Sequence, residues 1–213
     1  MLYINIDHIA STISKIVGII ARLRHHIPLN TLLQIYRSLI FPYTLYGVHV
    51  WGQASQCDLK TILTLQKRAL RLILFSSKTS HAIPLFVASS ILPINLLYFE
   101  TVSTTMHDAS TRSTPQNIRE LFIYFSDVHV YNTRFSCADN LFVQKSRLHM
   151  KLKSFPAFGS RLWNSLHPDW RKLTKRAFKR KLHKLLLTVL EIEDYYVDAH
   201  SLILNLNTRI ELN

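Results

Sequence analysis

Two short stretches of the sequence place lysines and arginines at the spacing of successive helical turns. The first is LQKRALRLIL, residues 65–74, where three cations interrupt a run that is otherwise nearly all aliphatic. The second is RKLTKRAFKRKLHK, residues 171–184, which contains no Asp or Glu. Cations three or four residues apart on a helix lie about 5–6 Å from each other, a spacing that can follow successive phosphates. The chemistry that these residues offer is therefore electrostatic binding of a polyanion.

The first stretch belongs to a segment, residues 59–74, that separates into two faces at about 100° per residue. The apolar arc is predicted to face the core. The basic arc is predicted either to be an ordinary solvated face or to contact a phosphate backbone. The apolar positions are Leu59, Ile62, Leu63, Ala69, Leu70, Ile73 and Leu74. The basic positions are Lys60, Lys67 and Arg71, which fall within roughly 40° of one another, with Arg68 nearby.

The second stretch repeats the basic pattern more strongly. Like charges at i and i+4 destabilise a helix, so an anionic partner would relieve the repulsion. A role in solubility or nuclear localisation is the alternative for such a run. The residues of this stretch that we expect to bind phosphate are Arg171, Lys172, Lys175, Arg176, Lys179 and Arg180. Arg22 and Arg24, near the end of the first predicted helix, complete the expected nucleic-acid-binding set.

The overall charge also favours a polyanionic partner. The chain has 213 residues and a formal net charge of +13. Residues 141–184 contain 13 Lys and Arg against Asp169 alone, whereas residues 185–213 contain one Arg against five acids. A surplus of this size predicts binding to nucleic acid or to an anionic membrane. The uncharged stretch 79–99 carries two prolines and several serines, so we expect buried helices there and no membrane span.

Residue types that perform catalysis are present but are not grouped. The 13 acids are scattered apart from EIED at 191–194, so no carboxylate cluster for Mg²⁺ is predicted. There is no glycine-rich phosphate loop and no Gly-x-Ser-x-Gly motif. We therefore expect no catalytic residue, no metal site and no cofactor. The histidines His49, His81 and His107 are expected to be structural.

The cysteine content bears on the cellular compartment. Cys57 and Cys137 are the only two cysteines, and they lie 80 residues apart without a Cys-x-x-Cys pair. Two lone thiols are typical of a reduced intracellular protein. We expect an intracellular location, and the basic run 171–184 is also compatible with the nucleus.

The elements that must position these residues are predicted to be mainly helical. Only four glycines occur, which is few for a protein with many strands and tight turns. The expected fold is mainly α, a helical bundle with one small β-hairpin near residues 128–152, where VHVYNTRFS is rich in β-branched and aromatic residues. Predicted helices span 7–25 with Asp7 as N-cap, 29–41 before Pro42, about 58–75 capped by Ser55 or Asp58, about 94–108, and 174–192 capped by Thr174. Residues 109–117 form the expected linker, and YTLYGVHVWG at 43–52 is left as either helix or extended chain.

Apolar periodicity also predicts which side chains are buried. The expected core stripes are Ile9, Ile13, Ile16, Ile20 and Leu23; Leu32, Ile35, Tyr36, Leu39 and Ile40; Phe155, Phe158, Leu162, Trp163 and Leu166; and Phe178, Leu182, Leu185, Leu186 and Val189.

Several blocks of sequence occur in an order that is characteristic of a known family. They are ISKIVGIIARLRHHIP (13–28), LLQIYRSLIFPYTLYGVHVWG (32–52), LQKRALRLI (65–73), YNTR (131–134), FGSRLWNSLHPDWRKL (158–173) and FKRKLHKLLL (178–187). Over residues 4–198 the chain resembles the C-terminal region of a non-LTR retrotransposon reverse transcriptase. The order and spacing of the blocks carry the resemblance, because each block alone is short.

The resemblance implies a thumb and the helical segment that follows it, which in this family hold the template–primer duplex. Residues 1–110 would be the thumb-like region and residues 111–213 the post-thumb region. The implied partner is RNA or an RNA–DNA hybrid that lies along basic helix faces. The family-typical positions are Trp51, Tyr131, Arg134, Trp163 and Asn164, of which Trp163 is expected to be a core anchor and Arg134 a buried hydrogen-bonding residue.

The chain also departs from the family pattern. The polymerase signature, an aromatic residue followed by x-Asp-Asp, is absent from the sequence, as are the upstream fingers and palm. We therefore expect a truncated reading frame that binds nucleic acid without catalysis, with a polymerase palm supplied in trans as a further partner. The family's WNSLP is WNSLH here, with Pro168 one residue later, which would shift the turn before the last helix. The alternative is a standalone helical interaction protein whose basic tail serves solubility or nuclear targeting.

Overall fold

The computed structural model describes residues 2–52, 54–128, 140–152 and 154–192. The chain is mainly helical in these ranges, which confirms the predicted fold class. The helices are α1 Leu2–Leu23, α2 Leu29–Ile35, α3 Phe41–Leu45, α4 Val48–Trp51, α5 Gln56–Ile73, α6 Ile83–Ser89, α7 Ile94–Ser110, α8 Gln116–Arg119, α9 Phe125–Val128, α10 His149–Leu152, α11 Phe155–Ser165, α12 Pro168–Arg171 and α13 Lys175–Ile192, with a π-helical turn at Tyr36–Ile40 between α2 and α3.

The chain divides into two compact units, which are described separately. Among the described residues, unit 1 contains residues up to 99 and residues 185–192, and unit 2 contains residues 100–184. Each boundary falls within a long helix, α7 or α13.

The centre of unit 1 is the packing of α1 against α5. The α1 stripe is buried as predicted at Ile9, Ile13 and Ile20. The helix begins at Leu2, however, so Asp7 lies inside it and the predicted N-cap is wrong. The reason is that the apolar stripe extends further towards the N-terminus, where Ile6 is also buried.

The second predicted stripe is interrupted by the π-helical turn at Tyr36–Ile40. Leu32, Tyr36 and Ile40 are buried as expected, but Leu39 is 42% exposed, so its predicted burial is wrong. A π-turn holds more residues than an α-turn and therefore rotates the following side chains away from the α-helical register. Helical structure then continues through Pro42, which lies in the first turn of α3.

Periodicity does not predict whether the stretch 43–52 is helical or extended. In the structure this stretch contains the end of α3 and the short helix α4. Gly47 precedes α4 in the left-handed region, with a φ of 64°, a conformation that glycine adopts without steric cost. Trp51 is fully buried at the end of α4, and its Nε1–H donates to the Tyr46 carbonyl oxygen at 2.7 Å. Trp51 therefore anchors the turn between α3 and α4 in the core of unit 1.

Ser55 is the N-cap of α5, which decides between the two predicted caps. Its hydroxyl oxygen accepts the Asp58 backbone N–H at 3.3 Å and its hydroxyl donates to the Asp58 carboxylate at 2.7 Å. The cap satisfies a backbone donor that the first helical turn leaves unpaired. It fixes where α5 starts and therefore which of its side chains face α1.

Unit 2 is built around an aromatic cluster on α7, α11 and α13. His107 is buried, stacks on Phe178 with ring centres 4.7 Å apart, and meets Trp163 edge to face at 6.4 Å. Its Nε2 lies 2.8 Å from the Leu173 carbonyl oxygen, so this nitrogen carries a proton and donates it to that bond. The burial predicted for Trp163 is confirmed, and His107 is structural, as expected. A second contact between α7 and α13 joins His183 Nδ1 to the buried carboxylate of Glu100 at 2.8 Å.

Residues 129–139 of the predicted hairpin near 128–152 lie outside the described residues. Within the described part, residues 140–152 contain no strand; there is one antiparallel bridge between Leu141 and Tyr124, followed by the short helix α10. Tyr131 and Arg134 also lie outside the described residues, so their predicted roles stay predictions.

Candidate nucleic-acid interface

The basic face of α13 is solvent-exposed. Lys175, Arg176, Lys179 and Arg180 are all exposed, while Phe178 and Leu182 on the opposite side of the helix are buried in unit 2. Lys172, which follows α12 and precedes α13, is exposed as well. The burial of the apolar stripe fixes the rotation of the helix, so the cations must point into solvent.

Few acids neutralise this face. Lys175 pairs with Asp108 at 2.7 Å, and the Lys181 ammonium lies 4.5 Å from the centre of the Trp170 ring. Within the described ranges, no acid lies within ion-pairing distance of Arg176, Lys179 or Arg180. An anionic partner can therefore bind these charges without first breaking an ion pair, and only part of their hydration is lost.

Arg171 has a different position from the other cations of the stretch. Its guanidinium donates to the Leu166 carbonyl at 3.1 Å, to the Asn140 amide oxygen at 3.1 Å and to the Asn164 carbonyl at 3.2 Å. It also lies 5.4 Å from the centre of the Trp163 ring. These contacts give Arg171 a structural role, and we no longer place it in the phosphate-binding set.

The side chain of Asn164, the neighbour of Trp163, bonds to the backbone of Leu141. Its side-chain nitrogen donates to the Leu141 carbonyl and its side-chain oxygen accepts the Leu141 N–H, both at 2.8 Å. The same segment pairs with residues 123–125, through Phe142 N–H to the Ile123 carbonyl at 2.7 Å and Phe125 N–H to the Asn140 carbonyl at 2.9 Å. Leu141 is 3% exposed, so its backbone N–H and carbonyl need hydrogen-bond partners within the protein. Asn164 supplies the partners that a neighbouring strand would supply in a sheet.

The cations of α5 do not form the uniform row that the helical wheel suggests. Lys60 and Arg68 are exposed and Lys67 is half-buried. Arg71 is half-buried, and its Nε and Nη2 both donate to the Ser80 carbonyl, at 3.1 and 2.9 Å. Arg71 therefore fixes the loop after α5, and the outward basic surface of this helix consists mainly of Lys60 and Arg68.

Arg22 and Arg24, at the end of α1, also differ from each other. Arg22 is exposed, whereas Arg24 is half-buried with its guanidinium 4.8 Å from the centre of the Phe75 ring. His25 meets the same ring edge to face at 5.9 Å. Only Arg22 of this pair presents its charge freely to solvent on the surface of unit 1.

A buried polar side chain on α5 was missed by the sequence analysis. Gln66 is fully buried, donates to the Tyr36 hydroxyl at 3.1 Å and accepts the Ile94 backbone N–H at 2.9 Å. It therefore joins the π-turn to the start of α7 within unit 1. Burial raises the pKa of Tyr36 well above its ordinary value, and the bond from Gln66 offsets only part of that effect, so the phenol is neutral at physiological pH.

We predict that Gln66→Leu lowers the free energy of unfolding by about 1–3 kcal/mol, because it leaves the Ile94 N–H and the Tyr36 hydroxyl buried without this partner. Urea denaturation followed by far-ultraviolet circular dichroism measures the change. Gln34→Leu, at an exposed position on α2, is the matched control and is expected to stay within about 0.5 kcal/mol of the parent. Equal stabilities of the two variants would contradict the role of Gln66.

Two further properties of the described residues bear on the class of site. No group of three or more His, Cys, Asp or Glu side chains in the described part of the chain is placed to hold a metal ion. In the same part, no single helix is long and apolar enough to cross a membrane, although α6 and α7 meet the length and composition criteria as a pair bent by 43°. Phe86 of α6 and Ile94 of α7 are both fully buried in unit 1.

Comparison with protein-family models, with curated proteins and with solved structures found no significant match to this chain. The functional assignment therefore depends on the basic surfaces described above and on the sequence blocks.

Proposed function

We propose that this chain is a helical nucleic-acid-binding protein that corresponds to the thumb and post-thumb part of a non-LTR retrotransposon reverse transcriptase. It would hold RNA or an RNA–DNA hybrid by its phosphates. Because its sequence lacks the aromatic-x-Asp-Asp signature, we propose that the chain alone binds without incorporating nucleotides.

The observation that carries this proposal is the exposed cationic face of α13. Arg176, Lys179 and Arg180 project from α13, and Lys172 lies just before the helix. Like charges at i and i+4, such as Arg176 and Arg180, destabilise an isolated helix by a few tenths of a kcal/mol per pair. A phosphate backbone would turn this repulsion into attraction and would release its condensed counterions on binding.

The proposal predicts a steep dependence of affinity on salt. If the four cations neutralise four phosphates, the slope of log K against log salt is about −3.6, and the affinity falls roughly 100-fold between about 50 and 200 mM salt. Fluorescence anisotropy with a labelled RNA–DNA hybrid and the purified full chain measures this slope. An affinity that is flat over that range would contradict phosphate binding, and primer extension by the purified chain would contradict the non-catalytic part of the proposal.

A second candidate function is that of an interaction protein whose basic tail serves solubility or nuclear targeting. It is favoured by exposed apolar side chains on the first helices of unit 1, which include Tyr46 at 72% and Val50 at 70% exposure. Under the resemblance, the same side chains would contact a palm supplied in trans. The two functions differ in whether nucleic acid binds at all: removal of the charges on α13 changes hybrid affinity only under the first.

A further inference from the structure

Unit 2 contains a cavity of about 150 Å³ between α7, α8, α11 and the bridge at Leu141. Its walls include the side chains of Met106, Phe122, Leu141 and Trp163. Two of the walls are aromatic rings held by other residues: Phe122 meets Phe155 edge to face at 5.6 Å, and Trp163 is in contact with His107 and Arg171. Both aromatic walls are therefore held in place by neighbouring side chains.

Two arginines also line this cavity. Arg119, the last residue of α8, is half-buried, and its Nε has no hydrogen-bond partner among the described residues although it is inaccessible to solvent. A buried donor without an acceptor is unfavourable, so a ligand acceptor would be favoured at Arg119 once the side chain turned its Nε–H towards the cavity. Tyr124 and Ser110 contribute further polar side chains to the lining.

Arg112 occupies a backbone position that usually belongs to glycine. Its φ is 58°, and the bonds from Ser113 N–H to the Asp108 carbonyl and from Arg112 N–H to the Ala109 carbonyl close α7 in a Schellman motif. Phe75 and Ser90 adopt the same left-handed conformation away from the cavity, so the backbone of Arg112 does not by itself mark a site. The observation that bears on the cavity is that the exposed side chain of Arg112 is part of its lining.

We propose that this cavity binds an unstacked pyrimidine base of a single-stranded nucleic acid, with Arg112 and Arg119 on the adjoining phosphate. This inference rests on the proposed function, and it adds a base-dependent site to the phosphate-dependent surface of α13. Recognition of single strands commonly combines a stacked base on aromatic side chains with cations on the backbone.

The size and the lining of the cavity are the reasons for proposing a pyrimidine base. A cavity of about 150 Å³ accepts a single six-membered ring of the size of benzene, and a purine, which has two fused rings, requires more space. The two aromatic walls lie beside the space for such a ring. Ser110 Oγ donates its proton to the His107 carbonyl at 2.8 Å, so its oxygen remains able to accept an N–H group of the base. The guanidinium groups fit a phosphate because they present planar pairs of donors.

The test compares two labelled oligonucleotides of equal length, one of uridines and one with abasic sugars on the same phosphate backbone. For the parent chain we expect the uridine oligonucleotide to bind roughly tenfold more tightly, which is typical of one stacked base. In Ala109→Phe, which fills the cavity, we expect the two oligonucleotides to bind equally. In Arg119→Gln and in Arg112→Gly, which remove a phosphate contact that both oligonucleotides share, we expect both to bind more weakly and the preference for uridines to be kept. Arg112→Gly is the most informative variant because glycine suits the left-handed position, so the fold is at least as stable as in the parent.

Binding of the RNA–DNA hybrid is measured on the same proteins, with Lys78→Gln, an exposed cation of unit 1, as the charge-loss control. Equal affinity of the parent for the uridine and abasic oligonucleotides would overturn the base site while leaving hybrid binding in place. Retained preference for uridines in Ala109→Phe would also overturn it. Saturable binding of uridine monophosphate that Ala109→Phe abolishes, without any base preference in the oligonucleotides, would overturn the single-stranded occupant in favour of a free nucleotide. If neither the hybrid nor the oligonucleotides bound, the proposed function itself would fail and this inference with it.

Discussion

Replacing Lys172, Arg176, Lys179 and Arg180 with glutamine is expected to lower the affinity for an RNA–DNA hybrid by about 100-fold or more at low salt. The slope of log K against log salt is expected to become flatter by about 3.6 units, because each cation that neutralises a phosphate contributes about 0.9 unit. The four side chains are exposed, and glutamine is a good helix former, so α13 should be retained. Fluorescence anisotropy at several salt concentrations measures both quantities.

The control for this experiment removes the same number of charges elsewhere. Lys15, Lys78, Lys145 and Arg147 are all exposed and lie outside the two basic stretches, so their replacement with glutamine gives an identical net charge. We expect a loss of less than about tenfold, because diffuse charge acts through screened, long-range attraction. A loss as large as that of the α13 variant would show that net charge, and not the face of α13, determines binding. No loss in either variant would support the alternative in which the basic tail serves solubility or targeting.

Helical periodicity identified most of the buried faces correctly. Ile62, Ala69 and Ile73 of α5 are buried, as are Ile13 and Ile20 of α1, because an α-helix repeats its side-chain directions every 3.6 residues. The prediction failed at Leu39, where the π-turn changes that repeat. Whether a chain forms such a turn depends on its tertiary contacts, here including the buried bond between Tyr36 and Gln66, which no local pattern contains.

The basic residues were predicted less well than the apolar ones. A helical wheel gives the direction of a Cβ atom, but the long side chains of arginine and lysine can place the charged group well away from that direction. Arg71 reaches the Ser80 carbonyl and Arg171 reaches Asn140, and both acceptors lie in loops whose positions come from the fold. Lys60 and Arg176 lie on the same predicted faces and remain exposed. Sequence patterns therefore predicted the basic surfaces, but they did not predict which lysines and arginines bond to other parts of the same chain.

The cavity of unit 2 could not be predicted from the sequence for a related reason. Arg112 lies in the predicted linker 109–117 and Arg119 in a short helix, so neither belongs to a basic run. They come together with Trp163 only through packing across more than 40 residues of chain. The end of α7 gives no local sign either, because Phe75 and Ser90 take the same left-handed conformation as Arg112 after the ends of α5 and α6.

Asn164 is the position at which the sequence blocks and the contacts of unit 2 together make the strongest prediction about stability. The resemblance marks Asn164 as family-typical without giving it a role. The structure gives it one, because both polar atoms of its side chain bond to the Leu141 backbone and its carbonyl accepts a bond from Arg171. A side chain that pairs with both backbone groups of one buried residue is hard to replace, since no other residue except glutamine carries the same donor and acceptor.

Asn164→Ala is therefore expected to lower the free energy of unfolding by about 2–4 kcal/mol, because the buried N–H and carbonyl of Leu141 lose these bonds. Urea denaturation measures the loss, and faster amide exchange at Leu141 locates it. Asn164→Asp keeps an acceptor for the Leu141 N–H but loses the donor, so its loss should be intermediate. Asn117→Ala, at an exposed position on α8, is the matched control and should stay within about 0.5 kcal/mol of the parent. If Asn164→Ala were as stable as that control, or if amide exchange at Leu141 were unchanged, the pairing of Asn164 with Leu141 would not be what holds this segment in unit 2.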